Sequence, residues 1–262
     1  MFCSEARRLV IAGGGDDCAA HRRIRTYDVE TLEKTADLDA HDANVRMVRF
    51  SPDGSLVASC GVDAKVKLWD PVSWELVAEL VGHERNVQDV AFSPDGELLL
   101  SAGLDGTPRV WQVATGRQVT AFEGHLEERD NGDRGHWVSS VCFSPDGRLA
   151  VTGSRTGTIR IWDPRGGEHI AESRSPDYGA VNFLTFTPDG MTLISVHWQG
   201  QVLFTRSGDW CTDSVVEAHT ARTHGHAMTP DGCTLVTGCW GREIKLWDVP
   251  SRAQTGAIRL SL

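Results

Sequence analysis

Several things are missing from this 262-residue chain, and each absence removes a class of explanation. There is no Cys-x-x-Cys pair, and the seven cysteines (Cys3, Cys18, Cys60, Cys142, Cys211, Cys233 and Cys239) are odd in number. That spacing suggests neither a zinc site nor a disulfide framework. Most of them fall beside apolar strand patterns, where cysteine serves as a small buried hydrophobe. No apolar run approaches the roughly 18 residues of a membrane helix. Met1 to Asp17 lacks the charged, apolar and cleavage regions of a signal peptide. Positive charge is in deficit, with 26 Lys+Arg against 36 Asp+Glu and a net charge of −10. A general nucleic-acid binder needs clustered Lys and Arg for phosphate contacts, so this balance argues against one. Local basic clusters remain, as in Arg7, Arg8, Arg22, Arg23 and Arg25. A sustained helical period is also absent. With 40% hydrophobic and 24% charged residues, the chain reads as soluble and globular, and its expected location is the cytoplasm.

What is present is a repeat. Ser51-Pro52-Asp53-Gly54 returns as Ser93-Pro94-Asp95-Gly96, Ser144-Pro145-Asp146-Gly147, Thr187-Pro188-Asp189-Gly190 and Thr229-Pro230-Asp231-Gly232, at intervals of 42, 51, 43 and 42 residues. A second marker keeps step: Trp69-Asp70, Trp111-Gln112, Trp162-Asp163 and Trp247-Asp248, with Tyr27-Asp28 ahead of the first. A third marker is a histidine before a unit, at His41, His83, His125 and His219. Within one unit, Val87 to Phe92 leads into the Ser-Pro-Asp-Gly turn, where proline presets φ and glycine supplies a positive φ. Leu98 to Ala102 follows as an apolar run, then Arg109-Val110-Trp111, then Arg117 to Phe122. Four antiparallel strands in about 42 residues, repeated, make a propeller blade and predict an all-β fold.

With these markers the chain resembles the WD-repeat (G-protein-beta-like) β-propeller family over roughly residues 2 to 260. The resemblance implies one propeller domain of five complete blades, at about 41–80, 83–122, 125–173, 176–217 and 219–260. An incomplete blade over 2–38 precedes them, having lost its first strand except for a remnant at Met1-Phe2. His41, Ser59 and Asp63 could pass for a base, a nucleophile and an orienting carboxylate. The same set recurs as His83, Ser101 and Asp105, followed by Trp111 as the first set is by Trp69. In the family such positions form a structural tetrad, in which Asp accepts from His, His engages Ser, and Ser meets the indole N–H. A chain of partners of this kind removes the cost of burying each polar group alone. Later units depart from it. Thr156 and Gly241 replace the Asp in the third and fifth, and the fourth has Asp177, Gln199 and Phe204-Thr205 at tetrad positions. That fourth blade is therefore expected to be the least stable complete one. Pro108 removes a ladder donor near a third strand.

Two features point to binding. About nine extra residues, Leu126 to Gly135, form a polar insertion between blades that reads as a tolerated loop or a partner-contact loop. The residue just before the tetrad Asp position is Val62, Leu104, Arg155, Trp198 and Trp240 in successive units, and Trp137 follows the insertion. In the family that turn faces the top of the propeller, so these six side chains form a candidate partner-binding rim. Trp and Arg are enriched at binding hot spots. The competing reading is that the two Trp fold over neighbouring blades as packing. His224 and His226 alternate on one strand, but no third metal ligand lies at a compelling spacing. Gly13-Gly14-Gly15 lacks the Lys and helix of a phosphate loop. No cofactor, metal or catalytic residue is assigned.

The function expected from these readings is a non-catalytic scaffold or docking module for protein or peptide partners, with no membrane or nucleic-acid partner. Two alternatives stay open. One is a sensor or regulatory propeller of a longer multidomain protein. The other is an enzyme with a central-channel site, although the first strands carry no convergent catalytic set. A missing first strand would also leave an open edge through which two chains could associate.

Overall fold

The computed structural model describes residues 2–3, 8–12, 20–123, 125 and 137–259. They form six four-stranded antiparallel sheets, each with its strands in chain order. The chain divides into two compact units, Met1–Glu127 with Pro164–Gly167, and Glu128–Asp163 with Glu168–Leu262.

Unit 1 contains three blades. The first is Phe2–Cys3 (β1), Arg8–Ala12 (β2), Arg23–Asp28 (β3) and Lys34–Asp39 (β4); the second is Val45–Phe50 (β5), Val57–Gly61 (β6), Lys65–Trp69 (β7) and Leu76–Val81 (β8); the third is Val87–Phe92 (β9), Leu98–Gly103 (β10), Arg109–Gln112 (β11) and Arg117–Ala121 (β12). Unit 2 contains the other three: Val138–Phe143 (β13), Ala150–Ser154 (β14), Thr158–Trp162 (β15) and His169–Arg174 (β16); then Val181–Phe186 (β17), Thr192–His197 (β18), Gln201–Arg206 (β19) and Thr212–Glu217 (β20); then Thr223–Met228 (β21), Thr234–Cys239 (β22), Glu243–Asp248 (β23) and Ala253–Arg259 (β24). The first blade does keep a two-residue first strand. Phe2 pairs with Leu9 at the register in which Phe50 pairs with Val57 and Phe92 with Leu99.

Where the second strand of a blade is covered on both faces, it reads as an unbroken apolar run rather than an alternating one. Every residue of β6, β10 and β14 is buried. The outer strands β8, β12 and β16 are largely exposed. In unit 1 one core joins two blades through Ala58, Val66, Leu68, Val87, Leu99 and Trp111. In unit 2 Ile161, Val181, Leu184 and Leu193 do the same.

The repeated turn earns its sequence from hydrogen bonds. Ser51 Oγ donates to Asp53 at 2.6 Å and accepts the Leu56 amide at 2.9 Å, while Asp53 accepts the Ser55 amide at 3.1 Å. The Ser51 hydroxyl and the Ser55 amide pull the Asp53 carboxyl down to about 2. Gly54 closes the turn at φ 72°, a conformation that costs glycine little. Thr229 and Asp231 rebuild the same bond at 2.5 Å. The Asp after the Trp organises the next turn, with Asp70 accepting the amides of Val72 and Ser73 at 2.7 and 2.8 Å. Pro108 sits just ahead of β11, and its carbonyl accepts the Phe122 amide at 2.9 Å. The insertion Leu126 to Gly135 and the Gly13-Gly14-Gly15 stretch lie outside the described residues.

Burial does not follow the expected order of blade strength. In the blade β17–β20, five residues each of β18 and β19 are buried, because Leu193 to Val196 and Val202 to Phe204 supply large apolar side chains. In β21–β24, only Leu235 and Thr237 of β22 are buried and Trp247 is the one buried residue of β23, where Ile244 and Leu246 alternate with Glu243 and Lys245 and are themselves only partly covered. Local opening follows apolar coverage. Amide hydrogen exchange is therefore expected to be faster in β22 and β23 than in β18 and β19; slower exchange in β22 and β23 would refute this account.

Candidate functional site

The tetrad residues assemble in two blades of unit 1. His41 Nδ1–H donates to Asp63, 2.9 Å from each carboxylate oxygen, and His41 Nε2 lies 2.7 Å from Ser59 Oγ. The Trp69 indole N–H donates to the same hydroxyl at 2.8 Å. One blade later the corresponding distances are 2.8 Å for His83 to Asp105, 2.7 Å for His83 to Ser101 and 2.9 Å for Trp111 to Ser101. Burial pushes the Asp105 carboxyl up. The His83 hydrogen bond and charge, with the Glu84 and Thr107 amides, outweigh it and hold the group below its usual range. Ser59 and Ser101 are fully buried, with their hydroxyls committed to neighbours.

The glycine two residues before each Asp is part of this arrangement. A Cβ on Gly61 would stand 2.9 Å from both His41 Nδ1 and Asp63 Oδ1, and one on Gly103 only 2.6 Å from the matching atoms. The Asp and the Gly are thus coupled: the carboxylate fits because the position beside it has no side chain.

In unit 2 both members change together. The blade β13–β16 has Ser154 and Thr156, whose hydroxyls meet at 2.7 Å. The blade β21–β24 has Cys239 and Gly241. The blade β17–β20, where sequence comparison finds the histidine replaced by Asp177, has His197 at the glycine position instead. That imidazole reaches Ser195 Oγ with Nε2 at 3.0 Å, and its Nδ1–H donates to the Gly179 carbonyl at 3.3 Å. A histidine therefore still meets the second-strand hydroxyl, delivered from within the strand. Sequence alignment by position could not show it, because the donor sits in a different column. Burial lowers the His197 imidazole to about 4, against an opposing contribution from the Gly179 carbonyl.

The six rim candidates divide between the units. Val62 and Leu104, in unit 1, are half-buried. In unit 2, the Arg155 guanidinium lies 5.0 Å from the Trp137 ring centroid. Trp198 and Trp240 form a larger cluster with two residues that sequence reasoning did not place there. The His224 ring stacks on Trp240 at 4.9 Å and 10° and meets Trp198 edge-on at 5.2 Å. The Arg222 guanidinium covers Trp198 at 5.1 Å and Trp240 at 5.8 Å. Trp198 is half-buried by these neighbours, whereas Trp240 remains 62% exposed. Burial lowers the His224 imidazole, and the Arg222 charge lowers it further. His226, the other member of the His-x-His pair, stacks on Phe183 at 3.9 Å and is not part of the cluster.

A backbone rule builds this rim. The amides of Val62, Leu104, Arg155, Trp198 and Trp240 donate to the carbonyls of Asn44, Asn86, Trp137, Ala180 and Arg222, each immediately ahead of its blade's first strand. Each of these five blades thereby presents a two-residue pair. Trp137–Arg155 and Arg222–Trp240 are the same cation–aromatic pair with the residues exchanged. Reading the position before each first strand would have found Arg222.

A repeating blade with a buried Trp–Ser–His–Asp chain defines a β-propeller protein of the WD-repeat class. The family model for the WD domain, G-beta repeat, matches residues 32–70, 74–112, 116–163 and 210–248, more than half of the chain. The protein belongs to that family. The unmatched interval 164–209 holds β17 to β19, the blade whose histidine has moved. Among curated relatives, the guanine nucleotide-binding protein subunit beta of Zea mays is 31% identical over 144 residues, 49% of this chain and 34% of that protein. WD repeat-containing protein RUP1 of Arabidopsis thaliana is 30% identical, over 47% of this chain and 33% of its own length. Pre-mRNA-processing factor 19 of Mus musculus is 29% identical, over 51% and 27%. The matched stretch thus spans about a third or less of these relatives.

Two measurements test the geometry. Ser101→Ala orphans the Trp111 N–H and is expected to cost about 1–3 kcal/mol of unfolding free energy in urea; no loss would refute a supporting role for that hydroxyl. His197 titrates near 4 when folded against 6.5 as the reference value, so the unfolded chain binds more protons between those values and stability is lost as the pH is lowered through that window. From pH 7 to 5 the wild type is expected to lose about 2 kcal/mol more than His197→Asn. Parallel pH profiles would overturn that assignment.

Proposed function

We propose that this protein is a non-catalytic docking module, and that it binds a protein or peptide partner through the cluster of Trp198, Trp240, His224 and Arg222. The observation that carries the reading is the Trp240 indole. It is 62% exposed, yet stacked on His224 and flanked by the Arg222 guanidinium, so it is held in place without being buried. An ordered aromatic group facing solvent loses little conformational freedom on binding and removes apolar area from water. Trp137 with Arg155 offers a second pair of the same chemistry.

The tetrads support the absence of catalysis. Ser59 and Ser101 are buried, and each hydroxyl already accepts an indole N–H. A substrate carbonyl has no approach to either oxygen, and the duplication of the set serves two blades alike. The family membership agrees with a binding role but names no partner.

The test is affinity capture from a native extract with wild type and a Trp198→Ala, Trp240→Ala double variant, after both show equal thermal melting. A partner bound by the wild type is expected to bind the variant at least about thirty-fold more weakly, the scale of a hot-spot loss. Equal recovery by both proteins would remove the cluster from the interface and leave the two indoles as packing.

A further inference from the structure

We propose that His219, Cys239 and Glu243 form a binding site for a divalent transition-metal cation of the zinc class. Their donor atoms, one each of imidazole nitrogen, thiol sulfur and carboxylate oxygen, lie within 4.8 Å of one another. His219 is 3% exposed, and its Nδ1 has no hydrogen-bond partner. It lies 3.6 Å from Glu243 Oε2, too far for a hydrogen bond. Two ligands of one tetrahedral zinc ion stand roughly 3.4 Å apart, so the pair is spaced for a shared cation.

The origin of the site lies in the coupled Gly–Asp swap. In the blade β5–β8 the Nδ1–H of His41 has a carboxylate to receive it, and Gly61 leaves the room. In the last blade Gly241 has removed the carboxylate, and Cys239 fills the volume. A Cβ on Gly241 would stand 3.2 Å from the Cys239 sulfur. A thiol is a weak acceptor but, as thiolate, a strong ligand for zinc. The exchange therefore replaces a hydrogen-bond acceptor by a metal donor at the same imidazole nitrogen. The far side of the ring is already oriented as metal-binding histidines require. Nε2 lies 2.8 Å from Thr237 Oγ1, which accepts the Trp247 N–H at 2.9 Å. With Nε2 carrying the proton and donating to Thr237, Nδ1 presents a lone pair.

Two cations border the site and must be accommodated. Lys245 Nζ is 3.4 Å from Glu243 Oε2, but it also donates to the Ala218 carbonyl at 2.7 Å, so it has a partner when Glu243 turns to a metal. Arg259 lines the same cavity, as do Glu217 and Gln201. A thiolate and a carboxylate together balance a dication, and the thiol proton leaves to buffer on binding. The His-x-His pair singled out by sequence takes no part.

The test uses the full chain, stripped with chelator and titrated with Co²⁺ and then Zn²⁺. One equivalent of Co²⁺ is expected to produce a thiolate-to-cobalt charge-transfer absorption that Zn²⁺ abolishes by displacement. Cys239→Ala, with melting equal to wild type, is expected to lose that band, and Glu243→Gln to bind Zn²⁺ at least about tenfold more weakly. The double variant Cys239→Gly, Gly241→Asp restores the arrangement of the blade β5–β8; it is expected to fold at least as stably and to bind no metal. No cobalt–thiolate band in the wild type, a band retained by Cys239→Ala, or unchanged Zn²⁺ affinity in the double variant would each overturn the proposal.

Discussion

Five of the six blades depend on one buried hydroxyl each, at Ser59, Ser101, Thr152, Ser195 and Thr237. In the four blades with an inner Trp, the hydroxyl of Ser59, Ser101, Thr152 or Thr237 on the second strand accepts the N–H of the Trp on the third. The indole is a large apolar payload that these four blades bury in their cores, yet it brings a donor that cannot be buried alone. Satisfying that donor inside the sheet ties the two central strands together. It also creates an oxygen with capacity to spare, and a histidine takes it up. The Asp then completes the chain by receiving the histidine's other N–H. Each member is present because the preceding one would otherwise be buried without a partner.

This ordering explains which positions vary. The hydroxyl persists even at Ser195, where the Trp is gone and Phe204 and Thr205 stand at the third strand. The outer end of the chain varies more: the histidines stay buried, and what faces their Nδ1 differs from blade to blade. The second and third blades use a carboxylate beside a glycine. The blade β17–β20 supplies its imidazole from the glycine position itself, with a backbone carbonyl as partner. The last blade exchanges both positions and leaves Nδ1 facing a thiol. These are not independent losses. A Cβ at Gly61 or Gly103 would collide with the His–Asp pair, so a side chain can enter there only when the carboxylate leaves.

The same turns that close this chain also display the residues proposed to bind a partner. Trp198 and Trp240 each sit one position beyond the glycine column, with their amides bonded to the residue ahead of the first strand. A rigid, hydrogen-bonded interior thereby fixes the backbone of the turn, and the exposed side chain is free to vary. The result in the last two blades is an aromatic and guanidinium surface on a well-anchored base. In the last blade the two roles adjoin, since Trp240 lies between Cys239 and Gly241.

The repeat markers made the all-β blade architecture legible from sequence, because turn chemistry and strand burial are local properties. Ser51-Pro52-Asp53-Gly54 specifies its turn through its own hydroxyl, carboxylate and glycine, and an unbroken run such as Leu98 to Ala102 announces a strand covered on both faces. The tetrads of the second and third blades were legible for the same reason, as residue types at a fixed spacing. What the sequence could not order was the apolar coverage of the blades, since that depends on which faces are packed: β22 and β23 are barer than β18 and β19. Nor could it show His197 standing in for a lost histidine, Arg222 and His224 gathering around two indoles, or Cys239 and Glu243 meeting His219. Those pairings join residues from different columns of the repeat, and distance between columns is set by strand register and turn geometry. Sequence by itself determined the unit and its periodic partners; tertiary structure decided the exceptions, because only in space does a missing carboxylate leave a volume that another side chain can fill.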